Sequence, residues 1–331
     1  MTSLGTTNLD IDPIIFGAWA IGGWHWGGCD DNISIRAIHA SIDAGIRCFD
    51  TAPIYGLGHS ETVLGNALKG RRHQVKIFSK VGLRWNKREG AHYFDTEING
   101  QDTSIWRNLR PESIRYEVES SLKRLQCEYI DLIQCHKPDP SFPVEETMYA
   151  LKQLREEGKV LEIGVSSFDV DLLNRSKNAL GDIPLASMQP RYSLLNRLIE
   201  KDVLPWTREN QVGNIVYSPL ERGLLTGKVT SQRTFPDSDG RSKDPMFSQS
   251  NREEINQALQ SIASLCTQHH CSFAQLAAAW CFHQEGIDAA IVGARTPQQA
   301  IENAGAAQLV LSEEECRFLS HTFAQLDCCK R

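Results

Sequence analysis

Eight short apolar runs, each parted from the next by a helix-like stretch, constrain this chain more than any other feature. They read as strands at Ile14–Gly17, Arg47–Asp50, Val75–Ser79, Tyr129–Gln134, Val160–Val165, Leu185–Met188, Asn214–Tyr217 and Ala289–Val292. Between them apolar residues recur at helical spacing: Ile35, Ile38, Ile42 and Ile46 form one stripe, and Val63, Leu64, Ala67 and Leu68 open another. Further helices read at Pro111–Leu125, Val144–Glu157, Asp169–Lys177, Leu198–Asn210, Ile255–Gln268 and Phe273–His283. Strands joined through helices run parallel, and crossovers of this length allow either an open sheet or a closed barrel. An open dinucleotide-binding sheet calls for G-x-G-x-x-G after an early strand, and no such run follows one here. The pattern predicts an α/β chain folded as a single (β/α)8 (TIM) barrel over residues 1–331. It places long loops after the third and seventh strands, near 82–110 and 218–251, and a helix at the C-terminus.

Composition narrows the function classes. Lys and Arg total 35 against 41 Asp and Glu, a net charge of −6 with no basic block, so nucleic acid is not an expected partner. No apolar run reaches the roughly 18 residues of a membrane span, and Met1-Thr-Ser-Leu-Gly-Thr-Thr has neither a basic nor an apolar leader segment. The ten cysteines show no ordered spacing, and a cytoplasmic chain with reduced thiols is expected. A monomer is the default expectation, with an oligomer left open.

In a parallel barrel the carboxyl ends of all strands share one mouth, where chemistry is placed. The residues there are Asp50, Lys80, His136, Ser166 with Ser167, Gln189, Tyr217 with Ser218, and Gly293 to Arg295. Each alone has a bland reading: Asp50 as a turn cap, Lys80 as a solvated amine, His136 as a structural imidazole. Polar groups recurring at the same end of seven strands form a pattern that those readings do not explain. Tyr55 follows Asp50 by five residues, so a phenol, an amine and a carboxylate can tune one another there. Trp19, Trp24 and Trp26 among Gly22, Gly23, Gly27 and Gly28 either plug a core or line a pocket mouth, and the pocket is the favoured reading. His269-His270-Cys271 has poor mutual geometry for a metal, and no metal is expected.

Five stretches carry a resemblance. Asp50-Thr-Ala-Pro-Ile-Tyr55-Gly, Phe78-Ser-Lys80, Ile130-Asp-Leu-Ile-Gln-Cys-His136, Ile163-Gly-Val-Ser166-Ser167-Phe and Tyr217-Ser-Pro-Leu-Glu-Arg-Gly-Leu-Leu-Thr-Gly-Lys228 resemble the aldo-keto reductase family. The likeness runs from about Leu4 to the C-terminal helix. The segment Ala18–Gly28 and Gly293-Ala-Arg295 resemble the branch near the bacterial general stress protein and inositol-utilisation reductases. The resemblance implies a (β/α)8 barrel that binds NADP(H) without a Rossmann domain and reduces aldehydes or ketones to alcohols, reversibly. It implies Asp50, Tyr55, Lys80 and His136 as the catalytic group, with Tyr55 as general acid. On this reading the Lys80 ammonium, held by Asp50, makes the phenol a better acid, while His136 orients a small carbonyl substrate.

For the cofactor, NADPH or NADP+, the resemblance implies Ser166, Ser167 and Gln189 at the nicotinamide carboxamide and Tyr217 stacked on the ring. Ser218, Leu220, Arg222, Gly223, Leu224 and Lys228 are implied at the pyrophosphate. Arg295, Thr296 and Gln299 are implied at a 2′-phosphate, Glu302 and Asn303 near adenine, and Gly293 among the cofactor contacts. Pro297 at a helix start is expected to leave free amides for that phosphate. The chain departs from the family in Ser167, where members usually carry Asn. It departs again in Gly293-Ala294 and Gln299, where many carry Lys-Ser and Arg. The pocket is expected to be apolar, walled by Trp19, Trp24, Trp26 and Trp85, and to favour small aldehydes over charged sugars. The rival reading is an NADP(H)-binding sensor or auxiliary subunit on the same barrel, with slow turnover. A metal-dependent barrel hydrolase is disfavoured by the lack of a His-x-His strand end.

Overall fold

The computed structural model describes residues 2–98 and 100–329. Eight parallel strands close into a barrel: β1 Ile14–Gly17, β2 Cys48–Asp50, β3 Lys76–Val81, β4 Ile130–Cys135, β5 Val160–Ser166, β6 Leu185–Gln189, β7 Gly213–Tyr217 and β8 Ala289–Gly293. Each pairs with its sequence neighbours, and β8 closes onto β1. All eight expected strands are present within a few residues of their expected ends. Around them lie α1 Asp31–Asp43, α2 His59–Ala67, α3 Pro111–Leu125, α4 Val144–Glu156, α5 Val170–Leu180, α6 Val203–Glu209, α7 Gln249–Ser261, α8 Ala263–Gln268, α9 Phe273–Phe282, α10 Pro297–Gly305 and α11 Glu313–Ala324. None of these helices is long and apolar enough to cross a membrane.

Strand alternation separates two cores. Ile15, Cys48, Phe78, Leu132, Ala186, Ile215 and Ala289 pack together inside the barrel. Their neighbours Ile14, Phe16, Phe49, Ile77 and Ile133 join the larger core shared with the helices. Side chains alternate faces along a strand, so two residues beyond a lumen-facing residue the chain faces the lumen again. Cys48 thus leads to Asp50, Phe78 to Lys80, Ile215 to Tyr217, and Leu132 through Gln134 to His136. The rim that carries these polar residues continues the barrel's inner face upward.

The opposite end is closed by a hairpin of Thr2–Ser3 with Asp10–Ile11, whose Leu4, Leu9 and Ile11 complete the lumen core. The third-strand excursion, expected as a loop, contains antiparallel strands instead. Ala91–Ile98 pairs with Gln101–Arg107, which also pairs Leu83–Arg84. The sequence pair Asn99-Gly100 is the hairpin signal, Asn99 itself lying outside the described residues. Two expected helices are each divided. Residues 198–210 break at Asp202, whose side chain accepts from Val203 N and starts α6 afresh, with Pro205 tolerated in its first turn. Residues 255–268 break at Ile262, between α7 and α8.

Leu4 is fully buried in the lumen plug. Replacing it with Ala is expected to cost about 2–5 kcal/mol through lost burial and a residual cavity. The denaturant midpoint should fall accordingly, while ligand binding at the far mouth should be unaffected in the fraction that remains folded.

Candidate active site

The mouth is organised by Lys80, which is 1% exposed. Its Nζ donates to Asp50 Oδ1 at 2.6 Å, to the Thr51 carbonyl at 3.0 Å and to Tyr55 Oη at 3.2 Å. The second Asp50 oxygen accepts from Gln189 Nε2 at 2.8 Å. The His136 ring stands edge-on to the Tyr55 ring, 5.7 Å away at 84°. Residues from the ends of β2, β3, β4 and β6 are thereby joined in one cluster. Because Lys80 donates into the phenol oxygen, the Tyr55 hydroxyl proton is left for another acceptor.

The protonation pattern departs from the expected one. Burial first, then the nearby Asp50 and Tyr217, push the Tyr55 phenol well above its ordinary range. A pull below that range by Lys80, the expectation from residue types, is not what the site produces. The ammonium and carboxylate form a nearly neutral pair, so little net positive charge is left to offset desolvation. Burial lowers Lys80 itself, with Asp50 opposing. Burial, then Lys80 and Lys137, hold His136 well below the usual imidazole range. The site therefore presents a protonated phenol beside a neutral imidazole.

Local backbone fixes the phenol. A Cβ on Gly22 would lie 2.6 Å from the Tyr55 carbonyl carbon, and one on Gly56, at φ +64°, would lie 2.2 Å from the Gly22 oxygen. The two glycines let the Tyr55 turn seat directly on the Trp19–Gly22 turn. Ser167 and Ser218, which follow the last residues of β5 and β7, both hold φ of +59°. Glu221, Arg222 and Gly223 follow at +45°, +51° and +103°. Left-handed non-glycine residues are uncommon and concentrate at functional sites.

A cavity of about 580 Å³ runs from Asp50, Tyr55 and His136 along Ser166, Gln189 and Tyr217. It continues past Ser218, Leu220, Arg222, Gly223 and Lys228 to Gly293, Arg295, Gln299, Glu302 and Asn303. Trp19, Trp24 and Trp26 line it, in line with the pocket reading of the glycine-rich segment. A Cβ on Gly293 would meet only the Gly17 oxygen, at 3.6 Å, so the backbone there is open to close approach. One cavity is thus lined both by the Tyr55 and His136 cluster and by the cations Lys137, Arg222, Lys228 and Arg295.

Four expected site residues lie elsewhere. Trp85 packs with Ala52, Ile54, Leu83 and Ile105 rather than in the cavity wall; the unforeseen hairpin supplies Tyr93 and Phe94 instead. Leu224 is wholly buried in the main core, because the turn before it directs the chain inward. Thr296 caps α10 by accepting from Gln299 N, and Ser167 Oγ accepts from Lys137 Nζ at 2.7 Å. The expected free amides at the start of α10 are also partly satisfied: Gln299 Oε1 accepts from Arg295 N at 2.8 Å. Ser166 donates to the Gln189 carbonyl at 2.8 Å.

Sequence reading missed Lys137, His25, Tyr93, Phe94, Arg233 and Arg241 in the wall. Lys137 was open to discovery as the neighbour of His136. His25 and Arg241 were not, since Gly240 N donates to the His25 carbonyl across more than 200 residues of chain. Arg295 likewise reaches back to the glycine-rich segment, donating to the Trp26 carbonyl at 3.0 Å and the Gly28 carbonyl at 2.6 Å.

A closed parallel barrel bearing a phenol, a buried amine–carboxylate pair and an imidazole at one rim defines a class of oxidoreductases that act on carbonyl groups. A profile of the Aldo/keto reductase family matches residues 13–321, and the chain belongs to that family. It is 40% identical to aldo-keto reductase YhdN of Bacillus subtilis over 301 residues, 90% of this chain and 86% of that protein. It is 36% identical to the NADH-specific methylglyoxal reductase of Escherichia coli over 323 residues, 96% of each. Among solved structures it resembles the glycerol dehydrogenase AKR11B4 from Gluconobacter oxydans, with a TM-score of 0.86 and 36% identity over 98% of this chain and 95% of that one.

Gly22→Ala is expected to push the Tyr55 turn off its seat while the barrel stays folded. A displacement near 1 Å at a reacting group costs about 100-fold. Steady-state carbonyl reduction should fall by that order, with the circular dichroism spectrum unchanged.

Proposed function

We propose that the protein reduces aldehydes or ketones to alcohols with NADPH, reversibly, and that Tyr55 is the general acid. The observation that carries this is the contact of Lys80 Nζ with Tyr55 Oη at 3.2 Å, with Asp50 holding the amine at 2.6 Å and His136 beside the phenol. A nicotinamide cofactor, when bound, supplies the hydride to the carbonyl carbon. Tyr55 gives its proton to the carbonyl oxygen, so the C=O π bond is replaced by one C–H and one O–H bond. Lys80 donates to the phenol oxygen throughout and stabilises the phenolate that remains. His136, neutral, can donate a ring N–H to the substrate oxygen and fix its direction. The aromatic wall excludes water from the reacting carbonyl.

The preference for NADPH rests on Arg295. A guanidinium has five N–H donors, and two are given to the carbonyls of Trp26 and Gly28. The rest remain for a 2′-phosphate. Lys228 adds less, because Glu302 lies 3.5 Å from its amine. The Escherichia coli relative named as NADH-specific points the other way. All ten cysteines stand as free thiols, which supports a cytoplasmic setting.

Tyr55→Phe is expected to lower kcat by a factor of about 1,000 or more while cofactor binding, followed by fluorescence, is retained. Cofactor binding without turnover of any carbonyl by the natural protein would instead favour a sensor. Because Tyr55 is shifted up and His136 down, kcat for reduction should show no break between about pH 6.5 and about 9. Arg295→Ala should erase most of the NADPH-over-NADH ratio of kcat/KM. A ratio near one before mutation would refute the stated preference.

A further inference from the structure

The cations along the cavity are not alike. Arg222 pairs with Asp244, Arg241 with Asp239 at 2.6 Å, and Lys228 with Glu302. Lys80, behind the wall, pairs with Asp50. Arg295 gives two donors to the carbonyls of Trp26 and Gly28, and Arg233 gives one to the Lys228 carbonyl; among the described residues neither faces a carboxylate, and both belong to the segments after β7 and β8. Lys137 lines the cavity, is half-buried, and has no carboxylate within ion-pair distance among the described residues. Its Nζ donates to the hydroxyl of Ser167 at 2.7 Å and stands 6.0 Å from the centre of the Tyr217 ring. Both partners are neutral. An ammonium withdrawn from water and matched only by neutral groups lacks its counter-charge. Burial alone drives its pKa down, with no carboxylate opposing. Of its three N–H donors, at least one remains for a ligand.

Its position says which ligand. Lys137 directly follows His136 at the end of β4, and its charge contributes to the depressed pKa of that imidazole. The cations suited to a cofactor's phosphates, Arg222, Lys228 and Arg295, belong to the segments after β7 and β8. Lys137 is thus at the reacting end of the cavity, where the carbonyl compound must sit. Trp19, Trp24, Tyr93 and Phe94 give that end an apolar wall for a carbon skeleton.

Taking the reductase reading above as given, we propose that Lys137 is a substrate-anion site and that the preferred substrates are aldehydes or ketones carrying a carboxylate. The carbonyl oxygen meets Tyr55 and His136, the carbon skeleton lies on the aromatic wall, and the carboxylate accepts from the Lys137 ammonium. This narrows the expectation of a pocket favouring small aldehydes over charged sugars. Lys137 is a specificity residue on this view; the proton and hydride steps do not pass through it.

The test uses the full chain with saturating cofactor and 4-oxobutanoate together with 2-, 3- and 4-carboxybenzaldehyde, each compared with its methyl ester. For at least one acid, kcat/KM should exceed that of its ester by about tenfold or more, mostly through KM. Lys137→Met should bring that ratio to about one or below, and Lys137→Arg should restore most of it. Cofactor affinity, measured separately by fluorescence titration, should stay within about twofold in the Met variant. An unmodified protein that reduces the esters as well as or better than every acid overturns the proposal while leaving the reductase reading intact. A Met variant that loses cofactor affinity, with the acid-to-ester ratio unmoved, also overturns it and assigns Lys137 to the cofactor. Failure to reduce any acid or ester would overturn the reductase reading, and this proposal with it.

Discussion

The buried pair of Lys80 and Asp50 is the interaction on which the mouth of the barrel depends. An ammonium that is 1% exposed is tolerable only with a carboxylate against it and its remaining donors satisfied, and both conditions hold here. The pair ties β2 to β3, Gln189 extends it to β6, and Tyr55 is held by the same amine. Its near neutrality has a chemical consequence. It can sit beside a phenol without ionising it, so the proton remains on Tyr55 until a neighbour can take it.

Around this pair, close approach and left-handed backbone shape the mouth. Gly22 and Gly56 allow two turns to touch, and the residues that follow β5 and β7 hold left-handed backbone. The bottom of the barrel, by contrast, is filled with Leu4, Leu9, Ile11 and the lumen-facing strand residues in an apolar plug.

Much of this was legible in the chain. Strand periodicity and the helices between strands announced the barrel, because side-chain alternation and crossover length leave few other arrangements. The strand ends placed Asp50, Lys80 and Tyr217 at one mouth. The excursion after β3 was misread because its strands are half exposed and rich in polar residues, as the run from Ala91 to Ile98 shows. That error displaced Trp85 from the wall and hid Tyr93 and Phe94. The amides at the start of α10 were misjudged for another reason: whether Thr296 and Gln299 cap their own helix depends on rotamers that composition does not specify.

By itself, the order of residues determined which chemical groups would reach the mouth, since a strand of known register delivers every second side chain to the lumen. Only the tertiary structure decided how those groups behave together. Desolvation and charge compensation act through space: they turned the expected acidified phenol into one held protonated, and left Lys137 facing neutral groups while Arg222 and Arg241 found carboxylates. Such balances depend on distances between residues far apart in the chain, and local sequence carries no record of them.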